Sequence, residues 1–276
     1  MTCRGIALGL IVAGSMAAQT FLQMSDPQFG MNADNKNFQQ ETANFEFAIA
    51  SANRLKPDFV VVTGDLTNES GNSGQIAEYK RIAAKLDPHI KLYNVPGNHD
   101  VGNEPTAESL ARYRERFGPD YYSFRAERVI GIVLNSNLEK GAEKVPDEAA
   151  KMEAWLKAEL IKAHAEPGTQ IIVFQHISFF LQDPNEPDQY FNIPLETRRR
   201  YLKVLHQYGV KQVFAGHYHR NATGRDGDLQ MITTGPVGKP LGDGASGFRA
   251  VKVNAGEVVE RYYDFGHVPN LLDGLR

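Results

Sequence analysis

Five clusters of acidic, amide and imidazole side chains stand out along the chain: Asp26-Pro27-Gln28, Gly64-Asp65-Leu66-Thr67-Asn68, Gly97-Asn98-His99-Asp100, His176, and Gly216-His217-Tyr218-His219. Carboxylate, amide oxygen and imidazole together form a hard-to-borderline donor set, suited to Mn, Fe, Mg or Zn and unsuited to thiophilic ions. The donors outnumber what a single ion takes. Two ions about 3.5–4 Å apart share a carboxylate and clamp both the attacking and the leaving oxygen of a phosphoryl displacement. Asp65, directly after Gly64 at the end of an apolar run, is the expected bridge. The one cysteine is Cys3, so neither a disulfide framework nor a thiolate zinc site is available.

Each cluster stands where a short apolar run stops. Runs 21–24, 59–62, 90–95, 171–174 and 213–215 read as buried strands, and segments 38–55, 75–86, 147–165 and 195–208 have helical period, the last with Pro194 at its start. This alternation predicts an α/β core sheet. After Gly224, runs 229–234, 248–253 and 258–265 follow closely without helices, predicting antiparallel strands added to that core. Ligands of open α/β sheets bind beyond the carboxyl ends of the strands. Singly, an Asp, Asn or Gly there is an ordinary turn residue; five such clusters ask for a common cause.

The chain has 276 residues, 42% hydrophobic and 23% charged, which excludes disorder, collagen and coiled coil. Its net charge is −3 and it has no long basic run, which argues against duplex nucleic-acid binding. Arg4, the apolar stretch 6–13 and then Ser15, Met16, Ala17 and Ala18 read as a signal peptide over 1–18, cleaved near Ala17 or Ala18. That stretch is shorter than the roughly 18–20 apolar residues of a membrane span, so no transmembrane anchor is expected. An exported protein, periplasmic or secreted, is the expectation, with one domain over 19–276.

In order along the chain, the clusters resemble the calcineurin-like metallophosphoesterase superfamily, whose pattern is D-x-H, G-D-x-x-N/D, G-N-H-D/E, a lone His and G-H-x-H. All five blocks occur here, between residues 26 and 219. Segment 25–30 and the surroundings of His176 are most similar to the subgroup of the calcineurin-like phosphoesterase domain-containing protein 1. The resemblance implies a four-layer α-β-β-α sandwich with mixed sheets and a dinuclear phosphohydrolase, foremost a phosphomonoesterase acting on a small molecule or a phosphoprotein. It implies one ion held by Asp26, Gln28, Asp65 and His219, and a second by Asp65, Asn98, His176 and His217. Gln28 stands where the superfamily usually has His. An amide oxygen is a harder and weaker donor than imidazole, so the first site is expected to favour Mg, Mn or Fe over Zn. Water between two cations is acidic enough to supply hydroxide for in-line attack on phosphorus. His99 resembles the residue that protonates the leaving oxygen, and Asp100 is expected to orient it.

Asn68 and Arg220 are candidate substrate contacts, Asn68 at most through another residue and Arg220 through bidentate bonds to phosphate. Segment 178–194 is a long loop directly after His176, and Phe179, Phe180, Tyr190 and Phe191 are candidate walls of a pocket. Asp183, Glu186 and Asp188 in that loop would disfavour a highly anionic substrate if they faced the metals. Asn135-Ser136-Asn137 is a further strand-end cluster with no metal assignment, and His89, His164, His206 and His267 have no motif around them. Two other readings stay open: a phosphodiesterase acting on nucleotides or other diesters, and a non-catalytic metal- or phosphate-binding protein, for which Gln28 is the one supporting feature.

Overall fold

The computed structural model describes residues 18–275, so the expected signal segment lies, except for Ala18, outside the described residues. The apolar runs form the strands of two sheets. The first sheet holds β1 (Gln19–Met24), β2 (Phe59–Thr63), β3 (Lys91–Val95), β10 (Gly247–Asn254) and β11 (Glu257–Asp264), in the order β11-β10-β1-β2-β3. Its parallel β1, β2 and β3 are linked through α1 (Gln39–Leu55) and α2 (Ser73–Ala83), while β10 runs antiparallel to β1. The second sheet holds β4 (Tyr122–Ala126), β5 (Val129–Val133), β6 (Gln170–Phe174), β7 (Gln212–Ala215), β8 (Ala222–Asp226) and β9 (Leu229–Thr233), in the order β4-β5-β6-β7-β9-β8. Between β3 and β4 lie α3 (Asn98–Val101) and α4 (Ala107–Phe117); α5 (Ser136–Lys140) and α6 (Pro146–His164) follow β5, and α7 (Leu195–Gln207) follows β6.

Alternation along the strands explains the layering. Phe21, Phe59 and Val61 of the first sheet meet Phe174, Phe214 and Ile232 of the second in an inner core, where the Phe21 ring stacks on Phe59 and sets its edge against Phe174 and Phe214. The intervening Leu22, Val60, Val62, Ile171 and Val173 belong instead to an outer core with helix residues such as Phe45, Ile49, Leu156 and Leu205. Burying each such side chain stabilises the fold by about 1.5–3 kcal/mol. The result is a four-layer α-β-β-α sandwich with mixed sheets. No helix of the described residues is long and apolar enough to cross a membrane.

Two features differ from the sequence expectation. Run 229–234, expected as an added antiparallel strand, forms β9, which pairs antiparallel with β8 but in parallel with β7. The chain first makes β8, whose Ala-Thr-Gly-Arg-Asp has no apolar signature, and then turns at Gly227 so that β9 inserts between β7 and β8. Helix α4 is half charged and buries only Ser109, Leu110 and Tyr113, too narrow a stripe to read from period alone.

Candidate metal centre

The strand ends bring the clusters together. Asp26 and Gln28 follow β1, Asp65 and Asn68 follow β2, Asn98 opens α3 after β3, His176 follows β6, and His217 and His219 follow β7. Asp26, Gln28, Asp65, Asn98, His176, His217 and His219 are each at most 4% exposed. Donor atoms of Asp65, His176 and His217 lie within 4.8 Å of one another, and so do those of Asp26, Asp65 and His219; Asp65 belongs to both groups. His176 Nε2 is 3.4 Å from Asp65 Oδ2 and 3.1 Å from Asn98 Oδ1, and His219 Nε2 is 3.3 Å from Asp26 Oδ1.

Tight turns make this convergence possible. Of the eight non-glycine residues with positive φ among those described, five are Asp26, Gln28, Asp65, His217 and His219, at 39° to 65°. Such backbone is costly for a side chain bearing a Cβ and concentrates at functional sites. Gly64 and Gly97 supply the close approach. A Cβ on Gly64 would stand 2.4 Å from His176 Nδ1, and one on Gly97 would stand 2.1 Å from the Asp65 amide nitrogen and Oδ1.

Backbone carbonyls set the imidazole tautomers. His176 Nδ1–H donates to the Thr63 carbonyl (2.8 Å) and His219 Nδ1–H to that of Lys239 (2.6 Å), which leaves each Nε2 facing a carboxylate. His217 Nε2–H donates to the Tyr190 carbonyl (3.2 Å), leaving Nδ1 as its free donor atom. Holding one ring nitrogen this way orients the other toward a metal. Gln28 Nε2 donates to Asn68 Oδ1 (3.1 Å), so the amide oxygen is its remaining donor.

Three observations show that the residues fit a metal pair. Among the described residues, buried Asp26 Oδ1 and Gln28 Oε1 make no hydrogen bond, and an unsatisfied buried acceptor costs about 1–3 kcal/mol. The donor set is all oxygen and nitrogen, as such ions require. The cluster also draws positive charge to itself. Burial by itself would raise the Asp65 carboxyl, but His176, with help from His99 and His217, holds it well below the usual carboxylate range. Asp26 is likewise lowered against burial by His219 and His176. In return, although burial opposes it, the carboxylates lift His176 to about 9, while burial and the neighbouring His176 push His217 down to about 3.

His99 is half-buried at the edge of the centre. Its backbone N–H donates to Asp65 Oδ1 (2.9 Å) and its Nδ1–H to the Asn68 carbonyl (2.8 Å). Asp100 does not orient it as expected. The Asp100 carboxylate accepts from the backbone amides of Leu66, Thr67 and Gly97, and so ties the β2 and β3 loops together. Asn68 bonds to Gln28 and Asn35 through its side chain and carries the His99 anchor on its carbonyl. Arg220 is exposed beside His219 at the rim of a cavity of about 370 Å³, with Nε donating to the Leu241 carbonyl.

The 178–194 loop differs from its expected form. Phe179 and Phe180 are fully buried core residues and wall no pocket; Tyr190 and Phe191 are the two aromatics that reach the centre, packing on His217. Asp183, Glu186 and Asp188 accept backbone amides of the loop and of α7 rather than facing the metals. Asn135, Ser136 and Asn137 serve structure: Asn135 caps α5 and donates to Asp120, and Ser136 Oγ accepts the Ile177 amide. His89, His164, His206 and His267 lie outside the site, bonded to Asp87, the Tyr208 carbonyl, Asp226 and Asp264. Lys140 had no sequence signal, since a lysine ending a short helix reads as a solvated charge. Its ammonium donates to the carbonyls of Gln189, Tyr190 and Asn192.

Comparison with known proteins agrees with this geometry. A family profile described as calcineurin-like phosphoesterase matches residues 19–221. The serine/threonine-protein phosphatase CPPED1 of Danio rerio is 36% identical over 258 residues, covering 88% of this chain and 84% of that protein, and that of Homo sapiens is 37% identical over 259 residues, covering 88% and 82%. Among solved structures, a dimetal phosphatase from Danio rerio superimposes with a TM-score of 0.67 at 15% identity over 90% of this chain and 96% of its own, a likeness of fold. The chain belongs to the calcineurin-like phosphoesterase family, hydrolases acting on phosphoric esters.

Proposed function

We propose that the chain is a dinuclear phosphomonoesterase, with Asp26, Gln28, Asp65 and His219 holding one metal ion and Asp65, Asn98, His176 and His217 the other. The observation that carries this reading is the membership of Asp65 in both donor groups. The oxygen of Gln28 favours Mg, Mn or Fe over Zn at the first position. When bound, such a pair acidifies water and stabilises charge on phosphoryl oxygens. The chain's own residues do the rest. The Thr63, Lys239 and Tyr190 carbonyls hold the three imidazoles in ligating tautomers. His99, anchored through Nδ1–H, keeps Nε2 to hold a proton and release it to the leaving oxygen. Arg220, at the cavity rim, uses Nε on the Leu241 carbonyl and among the described residues keeps its other guanidinium N–H groups for a phosphate.

Monoester specificity rests on the phosphatase names of the relatives, and a phosphoprotein or a small phosphoester is the proposed substrate class. The test is hydrolysis of a chromogenic phosphomonoester and of the matching diester by the Mn-reconstituted chain. Preference for the monoester is expected; preference for the diester overturns the monoesterase, and two bound metals with turnover of neither overturn the enzyme. Export is proposed on segment 1–18 alone. N-terminal sequencing of the protein recovered outside the cytoplasm tests it, with an intact Met1 counting against it.

A further inference from the structure

The 178–194 loop is held on two sides. From within, the Glu186 carboxylate accepts the amides of Leu181, Gln182 and Asp183 and the side chain of Asn192, while fully buried Arg198 donates to the carbonyls of Pro184, Glu186 and Ile193. From α5, Lys140 Nζ donates to the carbonyls of Gln189 (3.0 Å), Tyr190 (2.9 Å) and Asn192 (2.6 Å) and lies 5.9 Å from the Tyr190 ring. These three acceptors use every proton the ammonium has.

What this clamp fixes in place is Tyr190. Its carbonyl takes the His217 Nε2–H, its ring lies 4.8 Å from the His217 ring, and its hydroxyl meets Asn98 Nδ2 at 3.4 Å. Tyr190 therefore touches two members of the second proposed ligand set, yet it stays 51% exposed, whereas Phe179 and Phe180 of the same loop are fully buried. A rigidly held, half-exposed aromatic side chain beside the candidate metal centre offers a surface for the organic part of a substrate.

We infer that Tyr190 is the specificity-determining wall of the site, with Lys140 as its positioning residue, and that the site selects phosphomonoesters whose organic group is a planar aromatic. This inference rests on the phosphomonoesterase reading and sets the preferred ester apart from the serine and threonine esters in the relatives' names. An aromatic group stacked or set edge-on against the Tyr190 ring gains about 2- to 10-fold in affinity over an alkyl group of no such shape. Phe191, set edge-on to the Tyr190 ring at 5.1 Å, packs with it on His217.

The test titrates the metal-loaded full chain with phenylphosphonate and methylphosphonate by calorimetry, and compares kcat and KM for phenyl and methyl phosphate. The expected result is tighter binding of the phenyl compound, by about 2- to 10-fold. Tyr190→Phe should keep that preference, and Tyr190→Ala should lose it through KM with metal stoichiometry intact, because the carbonyl that holds His217 is retained. Lys140→Met should weaken the preference and open residues 178–194 to limited proteolysis, with Lys140→Arg restoring protection. Equal affinity of the unmodified chain for both phosphonates, or a preference that survives Tyr190→Ala, overturns the wall while leaving the phosphatase standing. Loss of metal in Tyr190→Ala reduces the residue to a structural part and overturns it as well. Failure to bind either phosphonate with both metals in place overturns the phosphomonoesterase itself.

Discussion

The ends of β2 and β5 each lead to a buried carboxylate, and the two lie in opposite electrostatic settings. Asp65, after β2, is 1% exposed and faces His176, with His99 and His217 near; its carboxyl stays ionised although burial opposes it. Glu139, in α5 after β5, is 5% exposed, and neither of its oxygens has a hydrogen-bond partner among the described residues. Burial pushes its carboxyl up to about 8, with Arg200 offsetting part of the rise and Glu153 adding to it. The polar groups before it, Asn135 and Ser136, are spent on capping and on the backbone. Burying a carboxylate therefore does not make a site. Asp65 stays ionised because imidazoles from other loops are aimed at it, and the Glu139 carboxyl is pushed up because burial outweighs the one cation near it.

The sharpest probe of this contrast is the same chemical change at both positions. Asp65→Asn, measured by monoester hydrolysis and metal analysis, should cost about 10³-fold or more in turnover and release bound metal, whereas Glu139→Gln should leave both within about twofold. Similar losses at the two positions would erase the distinction. Next in size, His99→Asn should lower turnover by about 10²–10³-fold with metal content unchanged, a result that separates proton handling from ligation; metal loss would make His99 a ligand instead. Gln28→Leu should weaken retention of one of the two ions by about 10- to 100-fold, read as metal stoichiometry after dialysis, while the other ion stays. Full retention of both would show that the Gln28 oxygen holds nothing.

The smallest effect concerns stability at Glu139. Its folded carboxyl binds a proton more tightly than an ordinary glutamate near 4.5, so stability is greatest at low pH and falls as pH rises from about 4.5 toward 8. Between pH 5 and 8, the Tm of the unmodified chain should drop by about 5 °C more than that of Glu139→Gln, with metal loading held constant. Parallel Tm curves would put the Glu139 carboxyl in contact with water.

Legibility in the sequence followed burial. Runs 59–62 and 171–174 agree with β2 and β6 to within a residue at each end because strands covered on both faces are continuously apolar. Edge strand β8 and helix α4 were illegible because each faces solvent over much of its surface and carries little apolar pattern. The loop aromatics divided on a point no local pattern encodes: Phe179 and Phe180 turn into the core, while Tyr190 stays open under the Lys140 clamp.

The sequence by itself determined which donors exist, their order, and their places beside Gly or Pro at strand ends, because parallel strands must expose their carboxyl-terminal loops along one rim. Only the tertiary structure decided what each donor does there. The usable nitrogen of His176, His217 and His219 depends on carbonyls of Thr63, Tyr190 and Lys239. The facing of Gln28 depends on Asn68, and Asp100 went to the backbone of another loop rather than to its neighbour His99. Each of these choices is a hydrogen bond between residues distant in the chain, so its geometry exists only after the fold has brought the loops together.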